Sequence, residues 1–220
     1  MKTCVSSYSF SGAVRAGKIS WTDVPRLVKD MGFDCIEFSE LEAPEGESTE
    51  KLLELLGNLC VKFGLPVENY AVGSDFLNAP SGVEGEIERL TKVMLPRTQL
   101  LGAKRMRHDA TRGYTRVDKG GKSFENALPT LAHGYRSVTE VAEGIGIETM
   151  IENHGFFAQD SNRVEALICA VGNDNFGALL DVGNFLCADE ESPKAVGLLA
   201  NYAKHVHVKD FHVKKGSEID

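Results

Sequence analysis

The sequence has no apolar run close to the roughly 20 residues that a membrane helix needs, so a bilayer is not an expected partner. Its first stretch, MKTCVSSYSF, lacks the apolar centre of a secretory signal. The five cysteines (Cys4, Cys35, Cys60, Cys169, Cys187) are odd in number, widely spread and form no CxxC pair, and no N-x-[ST] sequon occurs. They read as reduced, mostly buried thiols, and the cytoplasm is the expected compartment. Positive charge is short too: Lys and Arg number 24 against 32 Asp and Glu, a net charge of -8. That argues against a nucleic-acid partner, which would need clustered Lys and Arg, and leaves a small polar substrate open. No linker or low-complexity segment divides the 220 residues, so residues 1–220 are expected to form one domain.

What is present is a repeat of apolar strand candidates and amphipathic helices, joined by Gly. The strand candidates lie in CVSSYSF, DCIEFSEL, LPVENYAV, KRMRHDA, IETMIENHG, FGALLDVGNF and KHVHVKDFH. Between them run helical patterns. One is capped by Ser20 or Thr22 and closed by Gly32. Another is rich in Leu from Leu52 to Leu59 and ends at Gly64. A third runs from Ile87 to Leu101 and is interrupted by Pro96. A last one is expected to take Ser192 as N-cap and Pro193 as first residue. Strict alternation implies a parallel sheet, open or closed into a barrel. The first strand's turn, SFSGAVRAG, does not match the GxGxxG of an open dinucleotide-binding sheet. Polar groups ending several strands favour the barrel, whose sites are built at the C-terminal rim.

The strand ends carry the chemistry. Side chains alternate along a strand, so Met150, Glu152 and His154 share a face, as do Cys35, Glu37 and Ser39, and His205, His207 and Lys209. Arg107 and Asp109 share a face of the fourth strand, opposite Met106 and His108, and read as an internal ion pair or a substrate contact. Three consecutive strands finish in groups able to bind a metal. Buried carboxylates and an imidazole there are costly unless something pairs with them. The loop DKGGKS (Asp118 to Ser123) ends like a P-loop, but the pattern needs Gly where Arg116 stands, so it reads as a rim loop. Trp21 and the pair Phe156–Phe157 are candidate pocket covers, with helix packing the default for Trp21.

The motifs MIENHG, LLDVGN and HVHVKD, with weaker support from FDCIEFSE and RMRHDA, resemble the xylose isomerase-like barrels, a family of sugar and sugar-phosphate isomerases and epimerases. The resemblance covers nearly the whole chain. It implies an α/β fold, a (β/α)8 TIM barrel, here incomplete because KKGSEID stops just beyond the seventh strand. The expectation is a truncated chain, or one whose eighth strand a partner supplies. It also implies one divalent cofactor ion (Mn, Mg, Co or Zn) at the rim. Such enzymes hold it with acids from strands five and six, a His from strand seven and a Glu from strand eight. By motif the first three are Glu152, Asp181 and His207, with Glu152 and His154 as the catalytic pair. Expected substrate contacts are Glu37, Arg107, His154, Asn184 (where many relatives place a His) and Lys209; His205 is expected to lie behind His207.

The function implied is a metal-dependent isomerase or epimerase of a sugar or sugar phosphate, working by proton transfer through an enediolate. The alternative is a sugar-acid or inositol-type dehydratase that starts with the same proton abstraction. An endonuclease-like phosphodiesterase is disfavoured by the acidic charge and by having only six histidines. A binding or vestigial protein is the fourth reading. A homo-oligomer is compatible with all of them.

Overall fold

The computed structural model describes residues 1–114 and 122–212. Seven strands form a single sheet in sequence order, and every neighbouring pair is parallel. They are β1 (Cys4–Ser6), β2 (Cys35–Ser39), β3 (Val67–Val72), β4 (Arg105–His108), β5 (Glu148–Glu152), β6 (Phe176–Asp181) and β7 (Ala203–His207). The helices are α1 (Ser11–Arg15), α2 (Val24–Asp30), α3 (Thr49–Lys62), α4 (Gly82–Arg89), α5 (Leu95–Leu100), α6 (Phe124–Glu143), α7 (Ser161–Val171) and α8 (Ser192–Leu199). The sheet curls so far that Glu37 of β2 lies 3.0 Å from His207 of β7. This is a TIM barrel lacking its last strand among the described residues, as the resemblance implied.

Alternation sorts the side chains into two layers. Ile36, Phe38, Tyr70, Val72, Met106 and Ile151, all fully buried, face the helices and form the main core with residues such as Leu53, Leu56, Leu131 and Val138. The opposite face turns into the barrel. There the strand register sets Glu37 beside Asn69, Arg107 beside Met150, and Asp181 beside His207. The interior layer is therefore unusually polar, and it leads to the rim.

Three details depart from the sequence reading, and a fourth decides between two caps it left open. The first strand stops at Ser6, because the Ser6 hydroxyl accepts the Tyr8 amide and starts a tight turn through Phe10. Pro96 does not interrupt its helix. A π turn at Leu90–Met94 precedes α5, and the wider turn accommodates a residue that has no N–H to give. The cap of α8 is Glu191 rather than Ser192, since the Glu191 carbonyl accepts from Lys194 and Ala195. Ser192 is thus the first helical residue, and Pro193 still falls where a missing N–H costs nothing. Ser20, not Thr22, makes the capping box, with Asp23 Oδ2 accepting from the Ser20 amide at 2.9 Å and its hydroxyl at 2.7 Å.

Candidate metal centre and its surroundings

The tips of β5, β6 and β7 meet. One ligand atom each from Glu152, Asp181 and His207 can be chosen so that all lie within 4.8 Å of one another. Atoms bound to a single ion at roughly 2.0–2.3 Å sit no more than roughly 4.6 Å apart. The cluster is thus within a few tenths of an ångström of a spread that one ion spans. Two carboxylates and an imidazole are the donor set of a hard-to-borderline divalent cation such as Mg, Mn, Co or Zn. The donor set and its spread fit the ion that the motifs implied.

Each donor is held from behind. Asp181 Oδ1 accepts from the amides of Gly183 (2.9 Å) and Asn184 (3.0 Å). Asn153 stitches β5 to β6, donating to the Asp181 carbonyl and accepting its amide, both at 2.8 Å. Glu152 Oε2 lies 2.5 Å from the buried Arg107 guanidinium, and its Oε1 lies 3.5 Å from His207 Nδ1. Burial alone would raise the Glu152 pKa. The His207 hydrogen bond and the Arg107 charge outweigh it and bring the group down to about 2. Burial would likewise lower His207, but its hydrogen bonds with Glu152 and Glu37 hold it up at about 10.

Glu37 is only 2% exposed, and both its oxygens are engaged. His207 Nε2 reaches them at 3.1 and 3.0 Å, and Asn69 donates to Oε2 at 2.8 Å. His205 Nε2 stands 3.5 Å from the same carboxylate, behind His207 as expected. Burial opposes ionisation of Glu37, yet the His207 and Asn69 bonds keep it below the ordinary carboxylate value. Burial also lowers the pKa of His205.

On the β4 side, Arg107 pairs with Asp109 at 2.8 Å as well as with Glu152, and His154 Nδ1 lies 3.2 Å from Asp109. The Arg107–Asp109 pair is thus the internal pair of the sequence reading, extended to Glu152. His154 and Asp109 line a cavity of about 210 Å³ together with Gly73, Ser74, Asp75, Thr111, Arg112 and Gly155. Asn184 sits between two other candidates, donating to Glu152 Oε1 at 3.4 Å and accepting from Lys209 Nζ at 2.7 Å.

Other residues fall outside this group. His108 is fully buried, stacks on Tyr135 at 4.5 Å, and is pushed down to about 3 by burial, so it is a neutral core residue. Trp21 packs against the core. The Phe pair splits: Phe156 is exposed, whereas Phe157 meets Tyr114 and Phe124. Residues 116 and 118–121 of the Gly-rich loop lie outside the described residues. The sequence reading gave no role to Asn69, Asn153 or Gln159. Asn69 could have been found as the polar residue on the inward face of an apolar strand. Gln159, which accepts from the Phe156 amide and donates to the Asn184 carbonyl, both at 2.6 Å, left no periodic signal.

Comparison with known proteins agrees with this architecture. An inosose dehydratase from Clostridium perfringens (strain 13 / Type A) is 26% identical over 96 residues, 43% of this chain and 32% of that protein. The match thus spans about a third of the relative's length. The crystal structure of the probable 3-DHS dehydratase of petrobactin synthesis from Bacillus anthracis superposes with a TM-score of 0.69 at 20% identity, covering 94% of this chain and 72% of that one. An L-ribulose 3-epimerase superposes with a TM-score of 0.72 at 19% identity, covering 94% and 69%. At such identities these structures establish the fold, and they place epimerases and dehydratases among its neighbours. The family described as xylose isomerase-like TIM barrel matches residues 25–220, and the chain belongs to that family.

Proposed function

We propose that this protein is a divalent-metal-dependent isomerase or epimerase of a sugar or sugar-derived substrate. The observation that carries the reading is the convergence of Glu152, Asp181 and His207 at one rim. When bound there, a divalent ion supplies positive charge for the oxyanion that forms as a carbon-bound proton leaves beside a carbonyl. This chain's residues do the rest. Glu152 is held by Arg107 and His207 as a carboxylate of low basicity, suited to ligation. It serves as a proton acceptor only once that grip relaxes.

His154 is the better-placed proton carrier. Its Nδ1 is held between Asp109 Oδ1 at 3.2 Å and the Arg107 guanidinium at 3.4 Å, and Nε2 is the nitrogen left to meet a substrate. Lys209 supplies a donor near the same rim for hydroxyl, carbonyl or phosphate oxygens, whereas Arg107 and Asn184 are buried and engaged, Arg107 by Glu152 and Asp109 and Asn184 by Glu152 and Lys209. Glu37 is likewise engaged, by His207 and Asn69, and is not among the substrate contacts.

A dehydratase is the second reading, favoured by the sequence match to an inosose dehydratase. Both reactions begin with the same proton abstraction and part afterwards. Incubation with candidate ketoses and keto-inositols in deuterated water separates them. Deuterium entering recovered isomerised sugar supports the first, and loss of water from the product supports the second. Chelation abolishes exchange under either; exchange undiminished after metal removal contradicts both.

A further inference from the structure

We infer that Glu37 is a positioning residue for the metal centre, fixing the His207 ring so that Nδ1 is the nitrogen presented to an ion shared with Glu152 and Asp181. The inference rests on the metal reading above and goes beyond it by assigning the tautomer and its cause. The two nitrogens of the His207 ring face different partners. Nε2 points at both oxygens of Glu37, at 3.1 and 3.0 Å, while Nδ1 points at Glu152 Oε1, at 3.5 Å. A neutral imidazole has one N–H and one lone pair. Both nitrogens face a carboxylate, which can only accept, but Glu37 is the nearer partner, at 3.0 and 3.1 Å against 3.5 Å for Glu152. When an ion shared with Glu152 and Asp181 takes the lone pair on their side of the ring, the remaining N–H stays on Nε2.

Glu37 is itself held in place. Asn69 donates to Glu37 Oε2 at 2.8 Å, and Asn69 Oδ1 accepts the Arg107 amide at 3.1 Å. The orientation of a ring on β7 is thereby set by the backbone of β4, through side chains of β3 and β2. The carboxylate also makes the ring a stronger donor to a cation, as carboxylate–histidine–metal arrangements do.

A rival use of the same residues exists, because Glu37, His205 and His207 also offer donor atoms within 4.8 Å of one another. An ion there and another at Glu152 and Asp181 would require both nitrogens of His207 at once. The ring would have to lose its second proton, a much harder ionisation than the first. Positioning requires no such step, and it uses Glu37 as the hydrogen bonds already have it.

The test is a Mn²⁺ titration of the full chain, reading the free ion by electron paramagnetic resonance, with unfolding curves of the metal-free proteins to confirm that each variant is folded. Glu37→Gln keeps an acceptor but removes the charge, and weakens Mn²⁺ binding 10- to 100-fold. Asp181→Asn, a direct ligand, loses binding altogether, and His205→Ala stays within about threefold of the parent. In Mg²⁺-loaded protein, ¹H–¹⁵N spectra of the imidazoles show His207 protonated at Nε2. The inference is overturned if Glu37→Gln binds within twofold of the parent while Asp181→Asn does not bind, or if the proton sits on Nδ1; the metal reading survives either result. Two Mn²⁺ per chain, one lost in His205→Ala, overturns it in favour of a second ion. A parent chain that binds no Mn²⁺ removes the metal reading and the role of Glu37 with it.

Discussion

At the scale of single residues, the interior of this barrel sets Glu37, Glu68 and Glu152, all buried, against named hydrogen-bonding and cationic neighbours. Glu68 shows what such neighbours do at the end of the barrel away from the rim, where no ligand chemistry complicates it. It is 6% exposed and meets Lys104 at 2.7 Å and Lys2 and Arg105 at 3.1 Å. Burial opposes its ionisation, but the bonds to Lys104 and Lys2 prevail and bring its pKa to about 2. A carboxyl depressed on folding contributes stability that is present above its unfolded value near 4.5 and is lost as pH falls towards 2. Glu68→Gln should therefore cost about 1–3 kcal/mol at pH 7. The difference should shrink in urea unfolding measured at pH 2.5. An equal cost at both pH values would assign the effect to packing instead.

Much of the candidate centre was legible residue by residue. Glu152, Asp181 and His207 each end a strand whose alternation fixes the face they share, and that arithmetic survives folding. The partners of each charge were not legible. Glu37 and His207 lie 170 positions apart, and only the curl of the sheet brings them together. Arg107 and Asp109 could be paired from their spacing, but the third member, Glu152, comes from another strand. Asn153 passed unnoticed because the turn that follows β5 carries no period.

At the scale of elements, the C-terminal ends marked by Gly32 and Gly64 are read to within two residues, whereas the helix expected from Ile87 begins at Gly82 and the turn SFSGAVRAG holds the short α1. A miss of another kind arises where one residue's backbone chemistry is absorbed by its surroundings, as the π turn absorbs Pro96. Close approach is the other property that pattern does not reveal. Gly57 lies in α3, and a Cβ there would run into the Leu100 carbonyl oxygen and approach Leu101 Cα at 3.2 Å. Gly197 in α8 has nothing within 4 Å of the same position. Alanine at the two sites should act with opposite sign. Gly57→Ala is expected to destabilise by about 1–2 kcal/mol, because backbone overlap outweighs the gain in helix propensity. Gly197→Ala is expected to stabilise by about 0.5–1 kcal/mol. Thermal unfolding of both checks this, and equal effects would mean that the contact between α3 and α5 is slack.

At the scale of the molecule, the parallel sheet follows from one pattern of alternation and the family from a match over residues 25–220, while the reaction depends on a few atoms at the rim. No helix among the described residues is long and apolar enough to cross a membrane. The centre draws on strands β2 to β7, so binding an ion there ties together most of the sheet and should stabilise the whole. Mn²⁺ at 100 times its dissociation constant should add about 2.7 kcal/mol. For a chain of this size that raises Tm by about 5–11 °C. The Asp181→Asn chain should show no rise, and a rise of equal size in it would place the ion elsewhere.

The central claim is that Glu152, Asp181 and His207 hold one cation between them, and anomalous scattering from a Mn²⁺-soaked crystal tests it most directly. The account predicts a single strong peak within bonding distance of all three side chains, with His207 contributing Nδ1. A well-ordered rim without a peak, or a peak that touches none of the three, would contradict it.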